Sequence, residues 1–235
     1  MDAELHKDAI GRDLAACLAQ ARDLRAARGA DPRAADFPAL KEWQARRLAA
    51  TYADLLASER YAPAAQFFLT DLYGPKDFRP RDEELGRVVP VMARVLPAKA
   101  LQTLLDAARM DALSESLDTA MVHALRAAGR SGDIDWPAYA AAWRSVGRRP
   151  DRAQQIVLVE RIGQALDRLT RMPLIRVSLK LMHGPAQLAG LGELHSFLQR
   201  GFDAFSHMQG AGDFLATVLA RESALMEELF AGRPP

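Results

Sequence analysis

The feature that most constrains this chain is a succession of apolar stripes at helical spacing, separated by glycine and proline. Within residues 4–28, apolar side chains recur at steps of three and four, with charged side chains between them. Breaks such as Gly29 to Pro32, Gly74-Pro75 and Gly129 to Gly132 divide the pattern into segments. The chain is therefore predicted to form helices joined by short turns.

Composition favours the same fold class. The sequence holds 44 Ala and 32 Leu against 10 Val and 5 Ile, so helix-forming residues far outnumber the β-branched residues that suit strands. No sequence unit recurs at a fixed period of roughly 30 to 50 residues, which is evidence against a helical-repeat solenoid. We predict an all-α protein, a compact and non-repetitive bundle of about ten helices.

Residues 1–235 are expected to form a single helical domain. Within it, residues 1–28 form an N-terminal helix, and a linker at 29–38 joins this helix to the rest. We expect the N-terminal helix to be the element most easily detached or exchanged between subunits. Residues 174–182 are almost wholly apolar. A helix that is apolar on most sides is usually buried, so this helix is expected at the centre.

Charge and cysteine content narrow the class of protein. Lys and Arg number 31 against 30 Asp and Glu, and this balance makes nucleic acid or an anionic membrane an unexpected partner. No apolar run approaches the roughly 20 residues that cross a bilayer, and no signal peptide is recognisable. Cys17 is the one cysteine, so no disulfide within the chain is expected. We expect a soluble cytoplasmic protein.

The common catalytic signatures are absent from the sequence. Neither the GxxxxGK phosphate loop nor the GxSxG nucleophile elbow occurs. The five histidines do not follow the Glu-x-x-His or His-x-x-x-His spacing of helical metal sites. We therefore predict no metal and no cofactor and assign no catalytic residue; the missing motifs favour a protein that is not an enzyme, without deciding the question. His195 lies on an apolar helix face, as a hydrogen-bonded core residue or as a single axial ligand to haem.

Two charged stripes have matching helical spacing. One carries only carboxylates and the other carries the only basic groups of the apolar helix 174–182 and its end. Three interpretations stay open: each stripe faces water, they form an interhelical ion-pair ladder with each other or with arginines elsewhere, or the carboxylates form an active-site cluster. The stripes are Asp111, Glu115 and Asp118, and Arg176, Lys180 and His183.

A second polar concentration lies at residues 67–82, where charged side chains interrupt an aromatic segment at a helix-turn-helix corner. Corners of this kind enclose either a salt-bridge network or a ligand. Asp71 approaches the core and needs Arg81 or Arg87 as its partner. Glu222, on the apolar side of the last helix, needs an arginine from another helix. The low-ranked ligand-binding candidates are Asp71, Tyr73, Arg81, Asp82, Asp118 and His195.

Several strings resemble an uncharacterised family of bacterial, mainly proteobacterial, helical proteins. The longest is the FFLTDLYGPKDF block at 67–78, which is followed by Arg81-Asp82. Others are Trp43-Gln44, the run at 52–56, Arg60-Tyr61, residues 112–114, Leu117-Asp118, 147–149, and parts of 201–222. The similarity covers most of the chain. It implies a bacterial cytosolic protein, and it implies no activity, because none is established for the family.

Three functions are compatible with the sequence. The leading one is a protein-interaction or self-associating module, with a homo-oligomer or a protein partner, because amphipathic helices are abundant and motifs for metal or phosphate are missing. The alternative is a small-molecule or cofactor-binding protein, a class that includes enzymes, with a pocket near the corner from Asp71 to Asp82. The third, nucleic-acid binding through the arginines of segment 144–152, is the weakest.

Overall fold

The computed structural model describes residues 2–72, 79–95 and 97–233. These residues form twelve α-helices and one π-helical turn, with no strand among them, so the prediction of an all-α bundle is confirmed. The elements are α1 (Asp2–Gly29), α2 (Asp36–Thr51), α3 (Ala53–Ala57), α4 (Ala62–Phe67), the π-helical turn (Phe68–Leu72), α5 (Arg79–Val95), α6 (Ala98–Ala127), α7 (Trp136–Val146), α8 (Arg149–Thr170), α9 (Pro173–Leu181), α10 (His183–Leu188), α11 (Gly192–His207) and α12 (Gly212–Ala231).

The 30-residue helix α6 is the element around which the others pack, because α1, α2, α7 and α8 all contact it. Helix α1 packs along α6 and α5 through apolar side chains that include Ile10, Leu14, Leu101 and Leu105. Helix α2 begins at Asp36, so the connection after α1 is shorter than the predicted linker at 29–38. Burial of side chains this size stabilises a fold by about 1.5–3 kcal/mol each.

Two further apolar clusters belong to the core. The first joins α2, α6, α7 and α12, and it contains the stacked rings of Trp43 and Tyr139, whose centroids are 4.2 Å apart. The second joins α3, α4, α11 and α12 around Phe205, Met208 and Phe214. Both clusters therefore depend on helices that are far apart in sequence.

Two single residues, Asp135 and Pro90, bear on where helices begin and end. Asp135 stands just before Trp136-Pro137 in the sequence, a typical N-cap position, and it caps α7: its carboxylate accepts a hydrogen bond from the Ala138 N–H at 2.8 Å. A proline inside a helix is expected to kink or end it, and α5 does not end at Pro90 but continues to Val95. The loss of one backbone hydrogen bond at a proline is offset there by packing, since Val89 is buried against α1.

The prediction that the apolar helix 174–182 lies at the centre is wrong. Helix α9 has no buried residue, and the side chains of Leu174 and Leu181 are 77% and 72% exposed. The helix contacts α8, α10 and α11 from one side, with Ile175 and Leu179 partly buried. Apolar composition alone does not place a helix inside when only one side has neighbours. None of the described helices combines the length and apolar character needed to cross a membrane.

Candidate functional site

The carboxylate stripe of α6 lies in a buried ion-pair network with cations from α1 and α2. Glu115 is at its centre, within 3.3 Å of Arg25, 3.0 Å of Arg28 and 3.3 Å of Lys41. Arg25 also pairs with Asp111 at 2.6 Å. The side chains of Arg25 and Glu115 are both only 7% exposed, so these charges compensate one another where water is largely excluded.

Asp118 extends the same network by one helical turn. It accepts hydrogen bonds from Lys41 Nζ at 2.9 Å and from Gln44 Nε2 at 3.1 Å. Burial lowers the pKa of Lys41, but the carboxylates of Asp118 and Glu115 outweigh it and raise that pKa overall. The interhelical ladder is therefore present, formed with cations of α1 and α2. The basic stripe on α9 is not part of it, because Arg176, Lys180 and His183 lie exposed at the surface.

Glu222 has the partner that its apolar setting required. Arg47 Nη1 donates to Glu222 Oε1 at 2.8 Å, and the Tyr52 hydroxyl donates to the same oxygen at 2.7 Å. This group links α2 to α12. Burial lowers the pKa of Arg47, but the Glu222 carboxylate outweighs it and leaves that pKa raised.

Asp71 lies in the π-helical turn and is buried against α11. Arg200 donates to Asp71 Oδ1 through Nε at 3.0 Å and Nη2 at 2.7 Å. The Thr70 hydroxyl lies 2.8 Å from the other carboxylate oxygen. Arg81, one of the two predicted partners, donates to the main-chain carbonyl of Asp71 at 3.4 Å. The other, Arg87, donates to the carbonyl of Gly190. Sequence reasoning missed Arg200, because its partner lies 129 residues away and no local spacing connects the two.

An open groove of about 570 Å³ runs beside this pair, between α4 and α11. Its polar side chains come from both helices and from the π-helical turn. Arg200 is half exposed, so a solute entering the groove would meet a guanidinium that is already neutralised by Asp71. π-helical turns often occur at functional sites. The lining residues are Pro63, Gln66, Phe67, Thr70, Asp71, Arg200, Asp203, Ala204 and His207.

Of the remaining candidates, Asp118 and His195 are not among the residues that line this groove. Tyr73 lies outside the described residues, and the side chain of Asp82 does too, although its backbone is part of α5. Asp118 belongs to the α6 network. His195 is buried on α11, and its Nε2 lies 2.8 Å from the carbonyl oxygen of Leu179, which makes Nε2 the hydrogen-bond donor. His195 therefore ties α11 to α9 through Nε2, and its Nδ1 is buried without a hydrogen-bond partner among the described residues.

The arginines of segment 144–152 all contact protein groups. Arg148 pairs with Asp151 at 2.6 Å, and Arg149 pairs with Glu227. Arg152 is buried on α8. Across the described parts of the chain, no group of three or more His, Cys, Asp or Glu residues could hold a metal ion.

Comparison with known families gives one match. The family model described as Domain of unknown function (DUF8198) matches residues 23–235. Neither a curated protein nor a solved structure matches the chain.

Proposed function

We propose that this chain, which belongs to the DUF8198 family of unknown function, is a protein-interaction module. Its α9–α10 segment is proposed to dock another protein. Among the described residues, helices α9 and α10 make their main contacts with α8, with α11 and with each other. The proposal concerns the outward side of this pair, which we call the α9–α10 face.

The exposure of large apolar side chains on this face carries the proposal. Leu188 is 93% exposed, and five neighbours between 172 and 182 are at least half exposed. Leu174, Val177 and Leu181 follow one another at helical spacing and form a stripe. Contiguous exposed apolar side chains commonly mark a docking surface. The face comprises Met172, Leu174, Val177, Leu181, Met182 and Leu188.

The charge around the face indicates the chemistry of the partner. Residues 168–192 contain no Asp or Glu, but they contain Arg168, Arg176 and Lys180, together with Arg171, which pairs with Asp167. Two copies of this face would bring like charges together, whereas a protein with an apolar patch and an acidic rim would complement it. The same segment contains no Trp, Tyr or Phe, the residues enriched at membrane interfaces. An acidic protein partner is thus favoured over a second copy and over a lipid surface.

We place this interaction in the bacterial cytosol. The sequence resemblance to bacterial proteins supports the bacterial origin. Cys17, the chain's one cysteine, is partly buried in α1, and burial raises the pKa of its thiol. A thiol of raised pKa reacts slowly, which suits a residue whose role is packing in a reducing compartment.

In-cell photocrosslinking tests the proposal. A photoreactive phenylalanine analogue replaces Leu188 in the native host, and the same analogue replaces Val91, an exposed apolar residue of α5, as the matched control. We expect the variant at 188, and not the variant at 91, to crosslink one protein whose contact peptide carries Asp or Glu beside apolar residues. The captured protein, once purified, should bind the wild-type chain. Its affinity for the double variant Leu174→Ser/Leu181→Ser should be at least tenfold lower.

Three other outcomes would contradict the proposal. Crosslinks between two copies of the chain would make the face a self-association surface. Crosslinks to lipid would make it a membrane-surface anchor. Equal products from positions 188 and 91, or none from 188, would show that the exposed stripe has no partner.

The groove beside Asp71 supports a second candidate function, the binding of a small polar molecule. The observation that favours it is a groove of about 570 Å³ with a buried carboxylate and a half-exposed guanidinium in its wall. Native mass spectrometry of the protein from its host should then show an adduct on the wild type that Asp203→Asn lacks. An unmodified chain mass in both would remove this candidate.

A further inference from the structure

The buried guanidinium of Arg152 lies at the junction of α6, α7 and α8. Its plane stacks on the indole of Trp143, 3.8 Å from the ring centroid. Nη1 donates to the side-chain oxygen of Gln155 at 3.3 Å. The amide nitrogen of Gln155 donates in turn to Ser114 Oγ on α6 at 2.9 Å. One corner of the guanidinium is thus fixed by a neutral group.

The opposite edge of the guanidinium has no acceptor among the described residues. Nε and Nη2 of Arg152 are both buried and unbonded there. These two atoms form the fork with which an arginine binds a carboxylate or phosphate side-on. Arg200 uses the same two atoms for Asp71, at 3.0 and 2.7 Å. Trp143 Nε1 and Arg47 Nε are also buried without an acceptor in the described part of the chain.

The nearby carboxylates are already engaged. Asp118, which attracts Arg152, binds Lys41 and Gln44. Glu222 binds Arg47 and Tyr52. Arg152 is therefore a buried cation without a contacting anion among the described residues, and a buried charge in this state is costly.

The electrostatic setting of Arg152 agrees with this contact pattern. Burial lowers the pKa of Arg152, and the cations Arg148 and Arg47 act in the same direction, whereas Tyr139 and Asp118 oppose them. A bound anion would raise the pKa of Arg152 and so oppose the effect of burial, because it would stabilise the charged guanidinium. Ordered water could hydrogen-bond to the fork, but water would not neutralise the charge.

We propose that the Nε–Nη2 edge of Arg152, beside Trp143, is a buried binding site for a small oxyanion, either a carboxylate or a phosphate. The site lies behind the connection from α7 to α8, where Gly147 and Arg148 both have positive φ angles, 65° and 54°. A left-handed conformation is unfavourable for arginine, and such strain is often found beside ligand sites. Arg148 is held by Asp151 at 2.6 Å and by Ser116 Oγ at 2.9 Å. The anion enters when these part-exposed contacts open.

Thermal unfolding in defined anions tests the site. The protein is unfolded in urea and refolded in chloride buffer, which removes any anion carried over from the cell. Sodium acetate or sodium phosphate then replaces chloride at constant ionic strength. We expect the midpoint of the wild type to rise saturably, by about 5 °C at a hundredfold excess over Kd. Arg152→Met should show no such rise. Arg149→Met removes the same charge from an exposed residue one turn away, and it should respond like the wild type.

The arms of the experiment distinguish the two sources of oxyanion. A response to acetate at lower concentration than phosphate assigns a carboxylate ligand, and the reverse assigns a phosphorylated one. If Arg152→Met does not fold, Arg152→Lys replaces it, since lysine keeps the charge but loses the fork, and we expect at least tenfold weaker binding. Equal responses of the wild type and the Arg152 variants, or the absence of any saturable rise in the wild type, would overturn the site.

Discussion

At the scale of single residues, Glu115 is the carboxylate at the centre of the buried ion-pair network on α6. It binds Arg25, Arg28 and Lys41 at once, and these cations come from two different helices. A buried carboxylate with three cationic partners is weak evidence that the pairs add net stability. Removing the carboxylate alone is different, because it takes one negative charge from a network of buried cations that only Asp111 and Asp118 then compensate among the carboxylates of the α6 stripe.

Glu115→Gln should lower the free energy of unfolding by about 3 kcal/mol, because Arg25 and Lys41 would then share the remaining carboxylates Asp111 and Asp118. Urea denaturation measures this change. Asp133→Asn is the control, since Asp133 is 87% exposed in its pair with Arg130 and its loss should change stability by less than about 0.5 kcal/mol. Equal changes in the free energy of unfolding for the two substitutions would show that the buried α6 network contributes no more to stability than an exposed ion pair.

Asp54 provides a prediction about pH. Hydrogen bonds from Arg221 are the main cause that lowers the pKa of Asp54 from its ordinary 3.8 to about 2. Because the folded-state pKa is the lower one, the stabilising contribution of this pair is present above about pH 4 and is lost as the pH falls through about 2. A carbon-detected NMR titration should find this low pKa in the wild type and a value near the ordinary one in Arg221→Met. An unchanged pKa in that variant would contradict the assigned cause.

At the scale of helices, sequence reasoning succeeds where the signal is local. The apolar period predicts most helices, Asp135 is recognisable as a cap, and the isolated Glu222 on an apolar face predicts an arginine partner, which is Arg47. Sequence reasoning fails where the burial or the partner of a side chain depends on helices that are distant in the sequence. The exposure of α9 follows from which helices reach it, and the pair of Asp71 with Arg200 joins two helices whose approach no local pattern encodes.

Close helix contacts explain two glycines that propensity alone would disfavour. A Cβ on Gly163 of α8 would lie 2.3 Å from the Leu215 side chain of α12, and one on Gly201 of α11 would lie 2.9 Å from the Phe67 ring. In the described part of the chain, nothing lies within 4 Å of the corresponding position at Gly86 of α5. The first two glycines therefore permit helix packing, whereas the third does not serve this role.

Alanine substitution separates these cases. Gly86→Ala should raise the free energy of unfolding by about 0.5–1 kcal/mol, because alanine restricts the unfolded chain and favours helix. Gly201→Ala should lower it by about 1–3 kcal/mol, since the Phe67 ring has to move within a packed core. Urea denaturation compares the two variants. Stabilisation by Gly201→Ala would show that the contact between α4 and α11 is looser than the structure indicates.

At the scale of the whole molecule, buried charge and exposed apolar surface occur in different places. Among the residues that the structure describes, the interior around α6 contains compensated ion pairs and an uncompensated cation, Arg152, whereas the α9–α10 face presents leucines and methionines to solvent. The all-α fold class could be predicted from composition and periodicity. The location of these two features could not, because both depend on which helices pack together, and that is decided by contacts between distant segments.

Binding of a designed amphipathic peptide tests the proposed docking face most directly. One fluorescent helical peptide carries leucines on one side and glutamates on the other, and its control carries lysines in place of the glutamates. The account predicts saturable binding of the glutamate peptide to the wild type and to Val91→Ser, at least tenfold weaker binding to Leu174→Ser/Leu181→Ser, and weakening by salt. Equal binding of the lysine peptide, or undiminished binding by the double variant, would contradict it.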